Sequence, residues 1–470
     1  MNELVGKEYP NCGTIVPDFS STKEDDSVAI RVIIVRHGES TYNVEGRVQG
    51  HSDKSRLTPK GESMASSVGV ALKNIPIDAI YSSPLNRAHR TAELATAELG
   101  LSLPIVLDDD LKEVNLKLWE EQLFSDLGEK YPDQIQNWKT QPHKLRLVGT
   151  HEGETIDVYP IVELYEQAVR FWNATLSQHD GKTILIFAHS AINRALINSA
   201  IGLTPVQHQR IEQSNCCISV LNFAGGFGSP VQIESLNLTA HLGDLLPKPR
   251  HDNVIRLLLV RHGETQWNRE GRFQGQIDIP LNENGHRQAD QAGEFLKTIP
   301  IHAAVTSSMS RPRETADRIL KHHPDIKLAL RDDLWEISHG TWEGKLESEI
   351  RATDGALLDV WQAKPETVQM PEGENLHDVF ARAIAGWNDI VKAARPGTTT
   401  LVVAHDAINK SILCHVAGLP PSSFWSFKQG NGAVSVIDYP NGADEAPVLR
   451  AANITVHLGG VLDKTAAGAL

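Results

Sequence analysis

Residues 259–268 read LVRHGETQWN, and residues 34–43 read IVRHGESTYN. In both, an apolar run stops at an Arg–His pair, followed by Gly, Glu, a hydroxyl residue and Asn in the same order. The runs RVIIV (31–35) and IRLLLV (255–260) are short and rich in branched residues, the composition of buried strands. A strand that ends on charged residues predicts that Arg36–His37 and Arg261–His262 lie at the carboxyl edge of a sheet, where open α/β sheets bind ligands.

The recurrence extends along the chain. Arg36 and Arg261 lie 225 positions apart, as do Asn43 and Asn268. Arg87 and Arg311 are 224 apart, and Glu113 and Glu336 are 223 apart. His189 and His405 are 216 apart, as are Asn215 and Asn431, and the endings NLTAHLG (237–243) and NITVHLG (453–459). A spacing that changes in so few steps means one domain present twice. Most of the length difference falls between Trp138 and His189, which places an extra loop in the first copy.

Each copy alternates strand and helix. LTPKGESMASSVGVALKNI and LNENGHRQADQAGEFLKTI have helical apolar spacing behind cap-like Thr58 and Asn282. DAIYSS, HAAVTSS, TILIFAH and TTLVVAH read as strands, the last two again ending on His. The expected fold is α/β: two tandem three-layer α/β/α domains, each with a mostly parallel central sheet flanked by helices. The expected divisions are a polar tail at 1–28, domains at 29–245 and 254–460, a Pro-containing linker at 246–253 and a C-terminal tail at 461–470.

Hydrophobic residues make up 40% of the 470 and charged residues 22%, ordinary for a globular chain. A net charge of −14 argues against nucleic-acid and anionic-membrane partners. No apolar run is long enough to span a bilayer, and the first 28 residues lack the apolar region of a signal peptide. The four cysteines, Cys12, Cys216, Cys217 and Cys414, are too few for a disulfide scaffold, so a reduced, cytoplasmic protein is expected. Whether the two copies pair within the chain, or chains form homo-oligomers, stays open.

The residue types at the strand ends suit phosphoryl chemistry. In the second copy these are Arg261, His262, Asn268, Arg311, Glu336 and His405; in the first, Arg36, His37, Asn43, Arg87, Glu113 and His189. Two guanidinium forks match phosphate oxygens. One imidazole can act as an unprotonated nucleophile while the other stays a charged donor, and a carboxyl group can shuttle a proton. No Asp/Glu/His cluster resembles a metal site, so neither metal nor cofactor is expected. The other histidines, including His322, His323 and His415, and the arginines Arg90 and Arg313, read as ordinary structural or surface residues.

With these residues in view, the chain resembles two tandem members of the histidine phosphatase, or phosphoglycerate-mutase-like, superfamily. The matching stretches are VRHGETQWNREGRFQGQIDIPLNENG, SSMSRPRETA (307–316), LWEISHGTWEG (334–344), MPEGEN (370–375) and VVAHDAINK (402–410). The resemblance implies His262 as nucleophile and Glu336 as proton donor. It implies Arg261, Asn268, Arg311, His405 and Glu374 as substrate or phosphate contacts. In the first copy VRHGESTYN, SSPLNRAHRTA and FAHSAIN imply His37 and Glu113 as catalytic, with Arg36, Asn43, Arg87 and His189 around them.

The first copy departs around its acid. LKEVNLKLWEEQ (111–122) has Lys117 and Glu121 where the second copy has Gly340 and Gly344, so a different loop is expected there. The counterpart of Glu374 is Glu154 or Tyr159, depending on where the extra loop falls. WEISHGTWEG looks like the phosphatase branch, and the tandem layout resembles the 2-carboxy-D-arabinitol-1-phosphatase group. The expected activity is therefore hydrolysis of a small phosphorylated metabolite, a sugar phosphate or phospho-sugar acid, without metal. Phosphoglycerate mutation is the alternative reaction, and a non-catalytic, phosphate-sensing role for one copy is the alternative for half of the chain.

Overall fold

The computed structural model describes residues 29–151 and 153–465. The expected N-terminal tail, with Cys12, lies outside the described residues, as do residues 466–470.

The described residues form fourteen strands. In the first half they are β1 (Ile30–Arg36), β2 (Ala79–Ser82), β3 (Ile105–Leu107), β4 (Leu147–His151), β5 (Glu154–Val158), β6 (Thr183–Ala188), β7 (Ile218–Phe223) and β8 (Val231–Leu238). In the second half they are β9 (Ile255–Arg261), β10 (Ala303–Ser307), β11 (Leu328–Arg331), β12 (Thr399–Ala404), β13 (Val434–Tyr439) and β14 (Val448–Ile454). Within each half β3–β2–β6–β1 and β11–β10–β12–β9 pair in parallel, β7 and β13 run antiparallel to β1 and β9, and β8 and β14 turn back antiparallel to β7 and β13.

The sheet is covered on both faces, and side-chain alternation shows why. Ile30, Val32 and Ile34 of β1 join one apolar cluster, whereas Ile33 and Val35 join the other. In β9, Leu257 and Leu259 face the first cluster, and Leu258 and Val260 the second. A strand buried on both faces carries a near-continuous apolar run, which is how VIIV and LLLV read. The helices Pro160–Leu176, Ser190–Ala200, Leu376–Ala393 and Asp406–Ala417 pack on one face. The helices Pro59–Leu72, Asn86–Leu99, Glu283–Leu296 and Ser310–Leu320 pack on the other. Thr58 and Asn282 do cap their helices, accepting from the backbone N–H of Gly61 and Gly285. None of the described helices is long and apolar enough to cross a membrane.

The two halves share one twelve-stranded sheet, in which β8 lies beside β14. The joint has the reciprocity of a two-fold interface. Asn237 donates to the carbonyl of Arg450, and Asn453 donates to that of Glu234 at 2.7 Å. Ile211 bridges Leu449, and Ile233 bridges Phe427, the same pair exchanged between copies. Asn237 and Asn453 both adopt left-handed backbone, φ 55° and 53°, which Asn tolerates better than most residues.

Charges cross the joint too. Glu212 is paired with Arg194, Arg250 and Arg450, and Arg450 also approaches Asp438, which holds Arg256 through two 2.7 Å bonds. Burial alone would raise the Glu212 carboxyl, but the three guanidinium groups bring it down to about 2 from 4.5. A depressed carboxylate stabilises the fold above its unfolded-state value and loses that contribution as pH falls through the folded one. Glu212→Gln is therefore expected to cost about 3 kcal/mol near pH 7, measured by urea unfolding. The gap from the parent chain should narrow as pH drops below 4.5 towards 2.

Candidate active site

The parallel pairing of β1 with β6, and of β9 with β12, sets each repeated His pair side by side. The backbone N–H of His37 donates to Ala188 at 2.9 Å, and that of His262 to Ala404 at 3.1 Å. The ring centroids are then 5.2 Å apart for His37 and His189, and 5.3 Å for His262 and His405. Glycine follows the first His for a steric reason. A Cβ on Gly263 would lie 2.4 Å from the carbonyl oxygen of Gly285, at the start of the next helix.

Each first His is oriented by its own loop. Nδ1 of His262 lies 2.7 Å from the carbonyl oxygen of Gly263, and Nδ1 of His37 lies 2.8 Å from that of Gly38. A carbonyl can only accept, so the proton sits on Nδ1 and Nε2 keeps its lone pair. In the second half, Nε of Arg311 points at Nε2 of His262 from 3.3 Å. Burial first, then Arg311 and Arg261, hold the His262 imidazole well below its usual 6.5; burial, Arg87 and Arg36 do the same for His37.

For the second His of each pair, burial first and then the nearby arginines push the imidazoles of His189 and His405 well below 6.5, the opposite direction from the expectation that one stays charged. Their Nε2 atoms meet the hydroxyls of Ser83 and Ser307 at 2.8 and 2.9 Å.

Arg87 and Arg311 stand on the first turns of the helices Asn86–Leu99 and Ser310–Leu320. Those helices lack a local cap and take one from afar. Asp53 accepts from the backbone N–H of Asn86 at 2.7 Å, and Asp278 from that of Ser310 at 2.9 Å. Both guanidinium groups are fully buried, and burial lowers each to about 10, which leaves them charged at neutral pH. Buried Nε atoms of Arg36, Arg87 and Arg261 find no partner among the described residues, as an oxyanion site requires of its donors.

The acids Glu113 and Glu336 occupy equivalent cradles. Glu336 accepts from the backbone N–H groups of Asp406 (3.1 Å) and Ala407 (3.2 Å), and Glu113 accepts from Ala191 (3.1 Å) and Ile192 (3.2 Å). These are first-turn donors of the helices that follow His405 and His189. Burial raises the Glu336 carboxyl above 4.5, Asp406 adds to the rise, and Arg311 opposes it.

Asn43 and Asn268 spend their amide oxygens on capping the short helices Thr41–Glu45 and Gln266–Glu270 and on receiving the side chains of Asn215 and Asn431. That leaves the NH₂ of each amide as the group able to meet an anion. Glu374 stands farther out. It takes a bidentate bond from Arg382 (2.9 and 2.8 Å) and bonds from Ser338 N–H (2.8 Å) and Gln276 (3.3 Å).

The first half replaces this outer brace. Gln167 takes the place of Arg382, bonding the carbonyls of Asp110 and Lys112 at 2.8 Å where Arg382 bonds those of Asp333 and Trp335. That helix register puts Tyr159, not Glu154, opposite Glu374. Glu154 lies instead on the β4–β5 hairpin, paired with Lys117 at 3.1 Å.

The two glycine replacements behave differently. Gly340 has φ 56°, and a Cβ there would lie 1.9 Å from the carbonyl oxygen of Pro371, in the loop that the hairpin replaces. Lys117 is free of that contact and has no positive φ. Glu121 keeps the left-handed backbone of Gly344, at φ 67°, and its carboxylate bonds Ser52 and Lys54.

Several contributors escaped sequence reasoning. Ser83, Ser307, Asp53 and Asp278 stand inside or beside quoted motifs, and Asn215 and Asn431 keep the repeat spacing, so position alone could have flagged them. Arg382 carries no such signal, because its partners converge only in the fold.

The sequence profile of the histidine phosphatase superfamily (branch 1) matches residues 32–236 and 257–454. A 2-carboxy-D-arabinitol-1-phosphatase from Triticum aestivum is 31% identical over 446 residues, spanning 92% of this chain and 87% of the relative. Phosphoserine phosphatase 1 from Hydrogenobacter thermophilus is 32% identical over 206 residues, 44% of this chain and 95% of the relative. A probable phosphoglycerate mutase from Escherichia fergusonii is 32% identical over 194 residues, 41% of this chain and 85% of the relative. Among solved structures, Bacillus stearothermophilus YhfR aligns at 33% identity and TM-score 0.38, covering 40% of this chain and 93% of its own. With both profile matches falling on the segments that carry the two His pairs, the chain belongs to the histidine phosphatase superfamily.

Proposed function

We propose that each half hydrolyses small phosphomonoesters through a phosphohistidine, without metal. One observation carries the reading: a neutral imidazole whose Nδ1–H is tied to its own loop, leaving Nε2 beside a buried guanidinium. Nε2 of His262 attacks phosphorus, and the ester P–O bond breaks. Glu336, whose carboxyl burial raises above 4.5, gives its proton to the leaving oxygen. Water then attacks phosphorus while the Glu336 carboxylate takes its proton, the P–N bond breaks with its electron pair returning to Nε2 of His262, and phosphate leaves. Arg261, Arg311, Asn268 and His405 hold the phosphoryl oxygens as charge redistributes. Glu374 steadies the outer loop through Arg382. His37, Glu113, Arg36, Arg87, Asn43 and His189 do the corresponding work in the first half.

The proposed substrates are sugar phosphates and phospho-sugar acids. The wheat relative, similar along almost the whole chain, supports 2-carboxy-D-arabinitol 1-phosphate as the first to try. A phosphate-release screen with chelator present tests the reading. Release of free phosphate from 3-phosphoglycerate is expected; conversion to 2-phosphoglycerate would instead establish a mutase, and loss of activity in chelator would remove the metal-free mechanism.

A further inference from the structure

The two halves do not present the same surroundings to their acids. Beside Glu113 opens a cleft of about 710 Å³. Its far wall belongs to the other half: the turn between β13 and β14, including Pro440, Glu445 and Pro447, lines it, as does Arg250 of the connecting segment. Arg194 and Arg210 complete its basic side.

Positive charge outweighs negative on that side. Arg194 and Arg250, which line the cleft, share the single carboxylate of Glu212, and Arg450 draws on it too while also approaching Asp438. Arg210 is partly buried, and among the described residues its guanidinium has no carboxylate partner, only the Tyr439 hydroxyl and the His415 ring as electrostatic neighbours. A guanidinium without a carboxylate partner can receive an anion.

The second half lacks this arrangement. Lys410 stands where the first half has Arg194, but it bonds Asp406 at 2.7 Å and lies 4.5 Å from the centre of the Trp425 ring. Trp425 and Ser426 replace Gln209 and Arg210. The basic rim of one site is thus an aromatic, internally neutralised wall in the other.

We propose that the first-half site is composite and selects phosphomonoesters bearing a second anionic group. The phosphoryl group goes to His37, and the second anion goes to the side formed by Arg210 and Arg250, against the wall given by the second half. This rests on the first half being a phosphatase. It adds that its substrates are anionic at both ends and that the second half shapes their selection.

The test uses the full chain carrying H262A, so that only the first half turns over. Three substrates are compared: 3-phosphoglycerate, whose second anion is a carboxylate; fructose 1,6-bisphosphate, whose second anion is a phosphate; and glycerol 3-phosphate, which has none. H262A is expected to prefer the first two by kcat/KM. Adding R210A should lower that preference about tenfold, mainly through KM, and R210K should restore most of it. E445K, an exposed change in the second half, should raise the preference about threefold.

The order of the first two substrates says whether carboxylate or phosphate is the better second group. Preferences unmoved by both R210A and E445K overturn the proposal. If H262A turns over none of the three, the first half is not a phosphatase. Calorimetric binding of 3-phosphoglycerate to H262A and H262A/R210A then decides the inference by itself: equal affinity, or no binding to either, overturns it.

Discussion

Replacing His37 and His262 together by alanine is expected to lower phosphate release by about 10⁴-fold or more, because it removes the proposed nucleophile from both halves. The single variants divide the total activity between the halves. Burial of both rings, at 2% exposure, means that alanine leaves small cavities without exposing a new surface, so the fold should persist, as circular dichroism would verify. The chemical readout is direct. A chain quenched during turnover of a ³²P-labelled ester should carry acid-labile, base-stable label on His262, His37 or both, and the double variant should carry none. Both imidazoles are held well below 6.5 by burial and neighbouring arginines, so the unprotonated nucleophile persists into mildly acidic solution. The acid limb of kcat/KM should accordingly lie below 6.5. A retained label in the double variant, or an acid limb near that of a free imidazole, would place the nucleophile elsewhere.

Much of this arrangement was legible from the chain because the buried strands and the site share residues. An apolar run buried on both faces has to stop somewhere, and where it stops on Arg–His the sheet edge and the anion site are the same place. Duplication strengthened each reading, since a chance RHG has no reason to recur with its Asn, second Arg, acid and second His in register. The joint between the halves was not legible. VQIESLNL and VLRAANI carry Glu234, Asn237, Arg450 and Asn453, which as sequence look like the wet side of an edge strand. They are buried because each copy's polar groups are met by the other's, 213 and 219 positions away. No local pattern announces a partner at that distance.

The first half's acid loop shows the same limit from another side. Two glycine replacements look alike as sequence, yet only one alters the backbone. Glu121 bears a positive φ because Lys54 and Ser52 hold its side chain, whereas Lys117 escapes it because the loop carrying Pro371 has been exchanged for a hairpin. The counterpart of Glu374 was likewise undecidable until the register of a helix fixed it. What sets these loops is contact between segments, and contact is what periodicity does not encode.

The acid's role predicts a dependence on the leaving group. In a chain carrying H37A, so that only the second half works, Glu336→Gln keeps the shape of the side chain and can still meet the N–H groups of Asp406 and Ala407 through its amide oxygen. It can neither give a proton to the departing oxygen nor take one from water. For an alkyl phosphate, whose alkoxide leaves poorly, kcat is expected to fall by about 10²–10⁴-fold. For p-nitrophenyl phosphate, whose phenolate leaves unaided, formation of the phosphohistidine should be nearly unchanged and only its hydrolysis slowed, giving a burst of nitrophenol followed by slow turnover. The pH dependence follows from the sign of the shift. Burial raises the Glu336 carboxyl, so the productive protonated form survives above 4.5 and is lost as pH rises through the raised value. The parent second half should therefore show a basic limb in kcat for alkyl esters, and E336Q should abolish that limb while leaving the acid limb of His262 in place. Equal losses on both esters, with no burst, would mean that Glu336 only braces the start of the helix Asp406–Ala417 and moves no proton.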